Sequence, residues 1–300
     1  MAINSSKKIG LIAGWGEFPV RVARALKSQG HEVYCMAIKG HADPALEEIC
    51  DGYRVFGMGR MGAQIRYLRK CGVETATMAG KFFKTLLFGK KLALLAHCPD
   101  ITFLRHFYPV FVSKTKDRKD DTLLNTVIQV YNSGGITFSP ATDFAPELLV
   151  KEGSLTRKPP SSSQLKDIEF GWMMAREMGR LDIGQTVVVK DQAVMAVEAI
   201  EGTDECIRRA GTLCKGGFTV VKVAKPNQDM RFDVPTIGVG TIETIAEAGG
   251  NVLAIEADKT IVLNHDATVA EAEKRGISVF AFDGQKQFGE KIGQKITEAV

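Results

Sequence analysis

Short apolar runs alternate with helical stretches along the first half of this chain, and nothing else in the sequence constrains the fold as tightly. Lys8 to Ala13 (KIGLIA) reads as a strand, Gly14, Gly16 and Pro19 make a turn, and Val20 to Gln29 is an amphipathic helix ended by Gly30. Glu32 to Ile38, Cys50 to Phe56 and Thr75 to Ala79 are further strands, with Gly62 to Cys71 helical before the last of them. Asp120 to Asn132 reads as a helix closed by Gly134-Gly135, and Ile136 to Phe138 as a strand. Alternation at this short spacing implies a parallel sheet with helices on both faces, an α/β fold.

Residues 154–164 (SLTRKPPSSSQ) are rich in Ser and Pro and almost free of large apolar side chains, so they read as an exposed linker at a domain boundary. The expected division is 1–142, a linker region 143–164, and 165–300. Leu165 to Met178 is predicted helical. Thr186 to Val189 and Val194 to Ala199 are predicted strands around a turn at Lys190-Asp191-Gln192. The polar EGTDE at Glu201 to Glu205 opens a helix to about Thr212, with Thr203 as its expected N-cap. Thr241 to Ala248 and Ala267 to Arg275 are helical, and Val252 to Ile255, Thr260 to Leu263 and Val279 to Phe282 are strands. The second domain is therefore mixed α/β with at least one hairpin.

Composition excludes several classes. A formal charge of +4 is too mild for a nucleic-acid binder. The six cysteines form no C-x-x-C pair, which suits reduced thiols in the cytosol, and the five histidines form no H-E-x-x-H zinc motif. The first residues, MAINSSKKIGLIAG, lack the apolar core of a signal peptide, and no apolar run approaches the ~20 residues of a membrane span.

The densest chemistry lies in Val221 to Gly238, VKVAKPNQDMRFDVPTIG. It gathers Lys222, Lys225, Gln228, Asp229, Arg231 and Asp233 just after a buried strand. Cations beside paired carboxylates suit a phosphate and a hard divalent ion held through oxygen; the competing reading is a surface loop with internal ion pairs. The turn Gly14-Trp15-Gly16-Glu17-Phe18-Pro19 stands where a nucleotide phosphate is often held. Pro19 replaces the third glycine of the dinucleotide fingerprint, and Ile38-Lys39-Gly40 offers no ribose-binding acid, which argues against NAD and a nucleotide-sugar oxidoreductase or epimerase. Asp117, Asp120 and Asp121 precede a helix, as do Glu201 and Asp204; capping explains both groups, although Asp120 or Asp121 would also reach a cleft. Gly202 would allow close backbone approach of a ligand.

Lys81 to Leu95 (KFFKTLLFGKKLALL) mixes lysines with Phe and Leu. Lysine stems covering a core are one explanation, and a basic, greasy surface for lipid head groups is the other. Gln285 to Val300 places Phe288, Ile292 and Ile296 at helical spacing with lysines opposite, the pattern of a packed or dimer-forming helix.

At these motifs the chain resembles the UDP-2,3-diacylglucosamine pyrophosphatases of the LpxI type, which act in lipid A biosynthesis. The resemblance runs through KIGLIAGWGEFP near the start, MAGK at Met78 to Lys81, DDTLL at Asp120 to Leu124 and APELLVKEGSLT at Ala145 to Thr156. It continues through DIEFGW at Asp167 to Trp172, DIGQTVVV at Asp182 to Val189 and AVEAIEGTDECIRRAG at Ala196 to Gly211, and ends with VKVAKPNQDMRFDVPTIG. It implies a Rossmann-like N-terminal domain linked to a C-terminal catalytic α/β domain, with a lipid-linked sugar nucleotide bound between them. The implied reaction is Mg2+-dependent hydrolysis to UMP and the diacyl sugar 1-phosphate, by water attacking the β-phosphorus. The implied location is cytoplasmic, peripheral to the anionic surface of the inner membrane.

On this reading Asp229 and Asp233 ligate the metal or orient the water, with Asp204 and Asp121 as further metal ligands. Lys222, Lys225 and Arg231 offset the pyrophosphate charge. Gly14, Gly16, Lys81, Gln185, Gly202, Thr203 and Gln228 contact the substrate, and Glu201 stands beside them. Two alternatives remain: an NAD-dependent nucleotide-sugar oxidoreductase or epimerase, and a non-catalytic lipid- or nucleotide-binding module.

Overall fold

The computed structural model describes residues 7–80, 98–111, 113, 120–226, 228–231 and 234–287. Two compact units share the chain, Met1–Pro146 with Asp229–Phe232, and Glu147–Gln228 with Asp233–Val300.

In the first unit the elements run β1 (Lys8–Ala13), α1 (Phe18–Ser28), β2 (Glu32–Ile38), α2 (Leu46–Ile49), β3 (Gly52–Phe56), α3 (Met61–Lys70) and β4 (Thr75–Ala79). After β4 come α4 (Ile101–Phe111), α5 (Asp120–Ser133), β5 (Thr137–Phe138) and α6 (Ala141–Phe144). The sheet is wholly parallel in the order β3-β2-β1-β4-β5, as the alternation requires. β1 is buried from Ile9 to Ala13, which is why it reads as an unbroken apolar run rather than alternating. Ile12, Met36, Ile65, Leu68, Met78 and Tyr131 are among the residues of the core. Successive strands go to one side of β1 and then to the other, so a switch of direction lies between β1 and β4.

In the second unit a six-stranded sheet has the order β6-β13-β11-β9-β7-β8. Its elements are β6 (Gly153–Ser154), α7 (Ser162–Arg180), β7 (Thr186–Lys190), β8 (Ala193–Val197), α8 (Thr203–Leu213), β9 (Thr219–Lys222), β10 (Thr236–Ile237) and α9 (Val239–Glu247). They continue with β11 (Val252–Glu256), β12 (Ile261–Val262), α10 (His265–Lys274) and β13 (Ser278–Phe282). β9, β11 and β13 are parallel, while β7 runs antiparallel to β9 and β8 antiparallel to β7. The mixed sheet and its hairpin match the expectation. The hairpin turns through Asp191 (φ 51°) and Gln192 (φ 58°), the left-handed pair a tight two-residue turn needs. Buried Asp167 on α7 accepts the amides of both, at 3.3 and 2.6 Å, which holds two non-glycine residues in that conformation.

The Ser/Pro-rich stretch is tied down rather than free. Gly153–Ser154 pairs with β13, the Thr156 hydroxyl accepts the Val279 amide at 3.0 Å, and Ser278 donates to the Lys158 carbonyl. Ser161 and Gln164 form a reciprocal capping box, so α7 begins three residues earlier than the periodicity implies. Thr260–Leu263 contributes β12, which pairs with β10 apart from the main sheet. Lys81 to Leu95, and the C-terminal stretch beyond Gln287, lie outside the described residues. No helix among the described residues is long and apolar enough to cross a membrane.

Candidate active site

Strand polarity collects chemistry at one end of the six-stranded sheet. β9 and β11 finish there at Lys222 and Glu256, β8 finishes there just before Glu198, and antiparallel β7 starts there after Gln185. The register is direct, since Lys222 pairs with Thr186 on one side and Ile255 on the other. Open α/β sheets bind ligands at the carboxyl ends of their parallel strands.

Lys222 is 7% exposed, and its Nζ donates to Thr203 Oγ1 at 3.1 Å and to the Thr236 carbonyl at 3.2 Å. The Thr203 hydroxyl donates in turn to Glu198 Oε1 at 3.0 Å, and Thr186 Oγ1 lies 3.5 Å from it. Glu198 is itself buried, as is the Gln185 Oε1 atom, which has no hydrogen-bond partner among the described residues. Glu256, also buried, accepts the Ala224 amide at 2.9 Å and Lys259 Nζ at 2.7 Å, and so anchors the chain leaving β9. Gly184 is required beside Glu198, because a Cβ there would stand 2.2 Å from the Glu198 carbonyl oxygen. Thr203 is not the N-cap expected of it: Gly202 caps α8 with φ 87°, and Thr203 is the first helical residue, its hydroxyl turned to Glu198.

Among the described residues, the charges of the loop after β9 are matched, Asp229 with Arg231 within the loop and Lys225 by Asp182 ahead of β7. Lys225 Nζ donates to Asp182 Oδ1 at 2.7 Å, and the Lys225 amide donates to Gln228 Oε1 at 2.8 Å. Arg231 Nε and Nη2 donate to the two oxygens of Asp229, and the Arg231 amide adds a bond at 3.1 Å. This grip by Arg231 holds the Asp229 carboxyl below its usual range and raises Arg231. Arg231 also reaches Asn125 on α5, within the first unit. Glu201 is paired with Arg209 at 2.6 Å, and Asp204 is exposed on the first turn of α8. Asp233, Lys81 and Asp117 lie outside the described residues, as does the side chain of Asp121 on α5.

In the first unit, the turn after β1 sits at the switch between β1 and β4. The Gly14 amide donates to the Ala79 carbonyl at 2.8 Å, Gly16 has φ 102°, and Trp15 is 51% exposed. Gly80 (φ 92°) packs against this turn so closely that a Cβ would lie 2.8 Å from the Trp15 carbonyl oxygen. α1 begins directly after the turn with no side chain capping it. That leaves amides at a helix N-terminus, a setting suited to phosphate.

Of the residues singled out in the sequence, the fold joins Lys222 and Thr203 directly and places Gln185 and Gly202 on the same sheet edge. It commits Lys225, Asp229, Arg231 and Glu201 to ion pairs. Glu198, Thr186 and Glu256 were not singled out. The one signal for Glu198 is a charged residue directly after a strand and just before a glycine turn.

Residues 8–148 match the LpxI N-terminal domain and residues 151–280 the LpxI C-terminal domain. A relative from Caulobacter vibrioides, named UDP-2,3-diacylglucosamine pyrophosphatase LpxI, is 33% identical over 289 residues, which is 94% of this chain and 99% of that protein. Among solved structures, the biotin carboxylase domain of thermophilic 2-oxoglutarate carboxylase is 14% identical with a TM-score of 0.26, over 70% of this chain. The glycinamide-RNase-transformylase T of Mycobacterium tuberculosis is 12% identical with a TM-score of 0.23, over 65% of this chain. This chain spans 32% and 44% of those two proteins, and likenesses so slight carry no argument. Two domain matches in sequence order and a near full-length relative leave one conclusion: the chain belongs to the LpxI family.

Proposed function

We propose that this chain is a hydrolase that cleaves the pyrophosphate bond of UDP-2,3-diacylglucosamine, giving UMP and 2,3-diacylglucosamine 1-phosphate. The observation that carries the proposal is the relationship to a named pyrophosphatase over 94% of the chain. The sheet edge around Lys222 supports it. A pyrophosphate is shielded by its own negative charge, and a fixed ammonium beside a helix N-terminus offsets that charge before water approaches.

Mg2+ is part of the proposal. No three His, Cys, Asp or Glu side chains gather among the described residues, and both oxygens of Asp229 are engaged by Arg231. Magnesium does not need an all-protein cage; one or two carboxylates and the substrate's own phosphates suffice. Asp204 and Asp233, both in the second unit, are the carboxylates we assign to it, while Asp229 is committed to Arg231. Bound, the ion would neutralise charge on the phosphates. Water would attack the β-phosphorus. Because the substrate carries acyl chains, the enzyme would work at the cytoplasmic face of the inner membrane, peripherally attached.

Incubation of the purified chain with UDP-2,3-diacylglucosamine and Mg2+ tests the proposal. UMP release that depends on the chain is expected. Binding of the substrate with no UMP release would instead make the chain a non-catalytic binding module.

A further inference from the structure

Glu198 is 8% exposed, yet only one of its oxygens has a partner. Oε1 accepts the Thr203 hydroxyl, while Oε2 is buried with no hydrogen-bond partner among the described residues. An isolated buried carboxylate is costly unless a positive charge balances it. Here the balance comes at one remove. A carboxylate can only accept and an ammonium can only donate, so the hydroxyl between them has one orientation. Thr203 gives its proton to Glu198 and turns a lone pair to Lys222 Nζ, 3.1 Å away.

Thr203 is also the first residue of α8. The N-cap Gly202 supplies no side-chain cap, and nothing among the described residues stands within 4 Å of where its Cβ would be. The amides opening an 11-residue helix and the Lys222 ammonium therefore meet at Thr203. Backbone amides, a helix dipole and a fixed cation together suit a phosphate.

We infer that Glu198 is a positioning residue: acting through Thr203, it fixes Lys222 at the N-terminus of α8, and that assembly seats a phosphate group of the nucleotide sugar. The identity of the substrate rests on the hydrolase reading above; the anion seat does not. Glu198 itself does not touch the phosphate. Its acceptor-only chemistry keeps Thr203 from turning round. Among the described residues, the other charged groups at this edge are Glu201 with Arg209, Asp204, Glu256 with Lys259, and Lys225 with Asp182, and no hydrogen bond from these to the Thr203 hydroxyl is seen.

UMP binding by calorimetry and steady-state hydrolysis, both on the full chain, test this. Thr203→Val keeps the shape and removes the hydroxyl; UMP affinity and kcat/KM should each fall on the order of 10-fold or more. Thr203→Ser should recover most of that loss. Glu198→Ala should match Thr203→Val, and the double variant should be no worse than either, because the three residues act as one chain. A merely structural role would lower the melting temperature without selective rescue of UMP binding by serine. UMP affinity of Thr203→Val within twofold of the wild type would overturn the inference, as would losses that add in the double variant. If Glu198→Ala does not fold, the Val and Ser variants decide alone. Wild-type chain that binds UMP in this pattern but hydrolyses nothing would defeat the hydrolase reading and leave the seat standing. Hydrolysis with UMP binding untouched by Thr203→Val would do the reverse.

Discussion

Arg231 grips Asp229 from two residues away, with Nε 2.8 Å from Oδ1 and Nη2 2.5 Å from Oδ2. Both carboxylate oxygens are therefore occupied by one planar guanidinium, a fork that lysine cannot reproduce. Asp229 thereby fixes the guanidinium of Arg231, which also donates to Asn125 at 3.4 Å. Asp229→Ala should lower kcat roughly 100-fold, the scale of losing one oriented charge-stabilising group. Arg231→Lys should cost a similar factor if Asp229 works through Arg231. Near-normal kcat in Arg231→Lys beside a dead Asp229→Ala would instead give Asp229 a role of its own.

The same pair sets a pH dependence of stability. Hydrogen bonding from Arg231 depresses the folded-state pKa of Asp229. A depressed carboxyl stabilises the fold above its unfolded value, about 3.9, and that contribution is lost as pH falls through the lower folded value. The pair is partly exposed and screened, so about 1 kcal/mol is the ceiling. The stability gap between wild type and Asp229→Asn should be full at neutral pH and close below about pH 4. Denaturant titrations across that range would show it; a gap that widens in acid contradicts the assignment.

Gly80 offers a test of the turn at the switch point. Its positive φ and its approach to the Trp15 carbonyl both exclude a side chain, whereas Gly30 has a positive φ (82°) with nothing among the described residues within 4 Å of its absent Cβ. Gly80→Ala should cost about 2–4 kcal/mol, strain and overlap together, and Gly30→Ala only about 1–2. Equal losses by denaturant unfolding would mean that the turn gives way without cost.

Strands β1, β2 and β4 were legible to the residue, because each is an apolar run bounded by glycine or polar residues and buried on both faces. The charge cluster after β9 was legible too, and internal ion pairs such as Arg231 with Asp229 were its competing reading; that Lys225 would pair with Asp182, far back in the chain, was not legible. Pairing at that range depends on backbone course, not on composition. Lys222 meeting Thr203 depends on β7 lying antiparallel between β8 and β9, which sequence spacing does not reveal. Glu198 falls within the expected strand Val194 to Ala199, and the structure ends β8 at Val197; the burial of its carboxylate is set by the tertiary fold, which sequence spacing does not reveal. The Ser/Pro-rich stretch looked like a tether because bonds to β13 over a hundred residues away leave no local mark.

Membrane attachment should be electrostatic and apolar together. Ile101, Leu104 and Tyr108 share one face of α4 and are 79%, 53% and 55% exposed, and the lysine-rich Lys81 to Leu95 precedes them in sequence. Sedimentation with anionic vesicles at low salt should carry the chain down, and high salt should release much of it. Leu104→Asp should weaken binding at both salts. Equal binding to neutral and anionic vesicles, or none to either, removes the electrostatic surface from the account.

The site of water attack is open to direct measurement. UMP and the sugar 1-phosphate form whichever bond to the bridging oxygen breaks, so the products alone cannot assign it. Attack on the β-phosphorus makes UMP the leaving group, and negative charge then develops on the uridine phosphate. An ammonium seated against a helix N-terminus, as Lys222 is through Thr203, is suited to take up that charge. Hydrolysis in oxygen-18 water should therefore place the heavy oxygen in 2,3-diacylglucosamine 1-phosphate and leave UMP unlabelled by mass spectrometry. Label in UMP would mean attack on the α-phosphorus. The Lys222 edge would then face the attacked phosphate rather than the departing one, and the roles assigned to the two ends of the pyrophosphate would exchange.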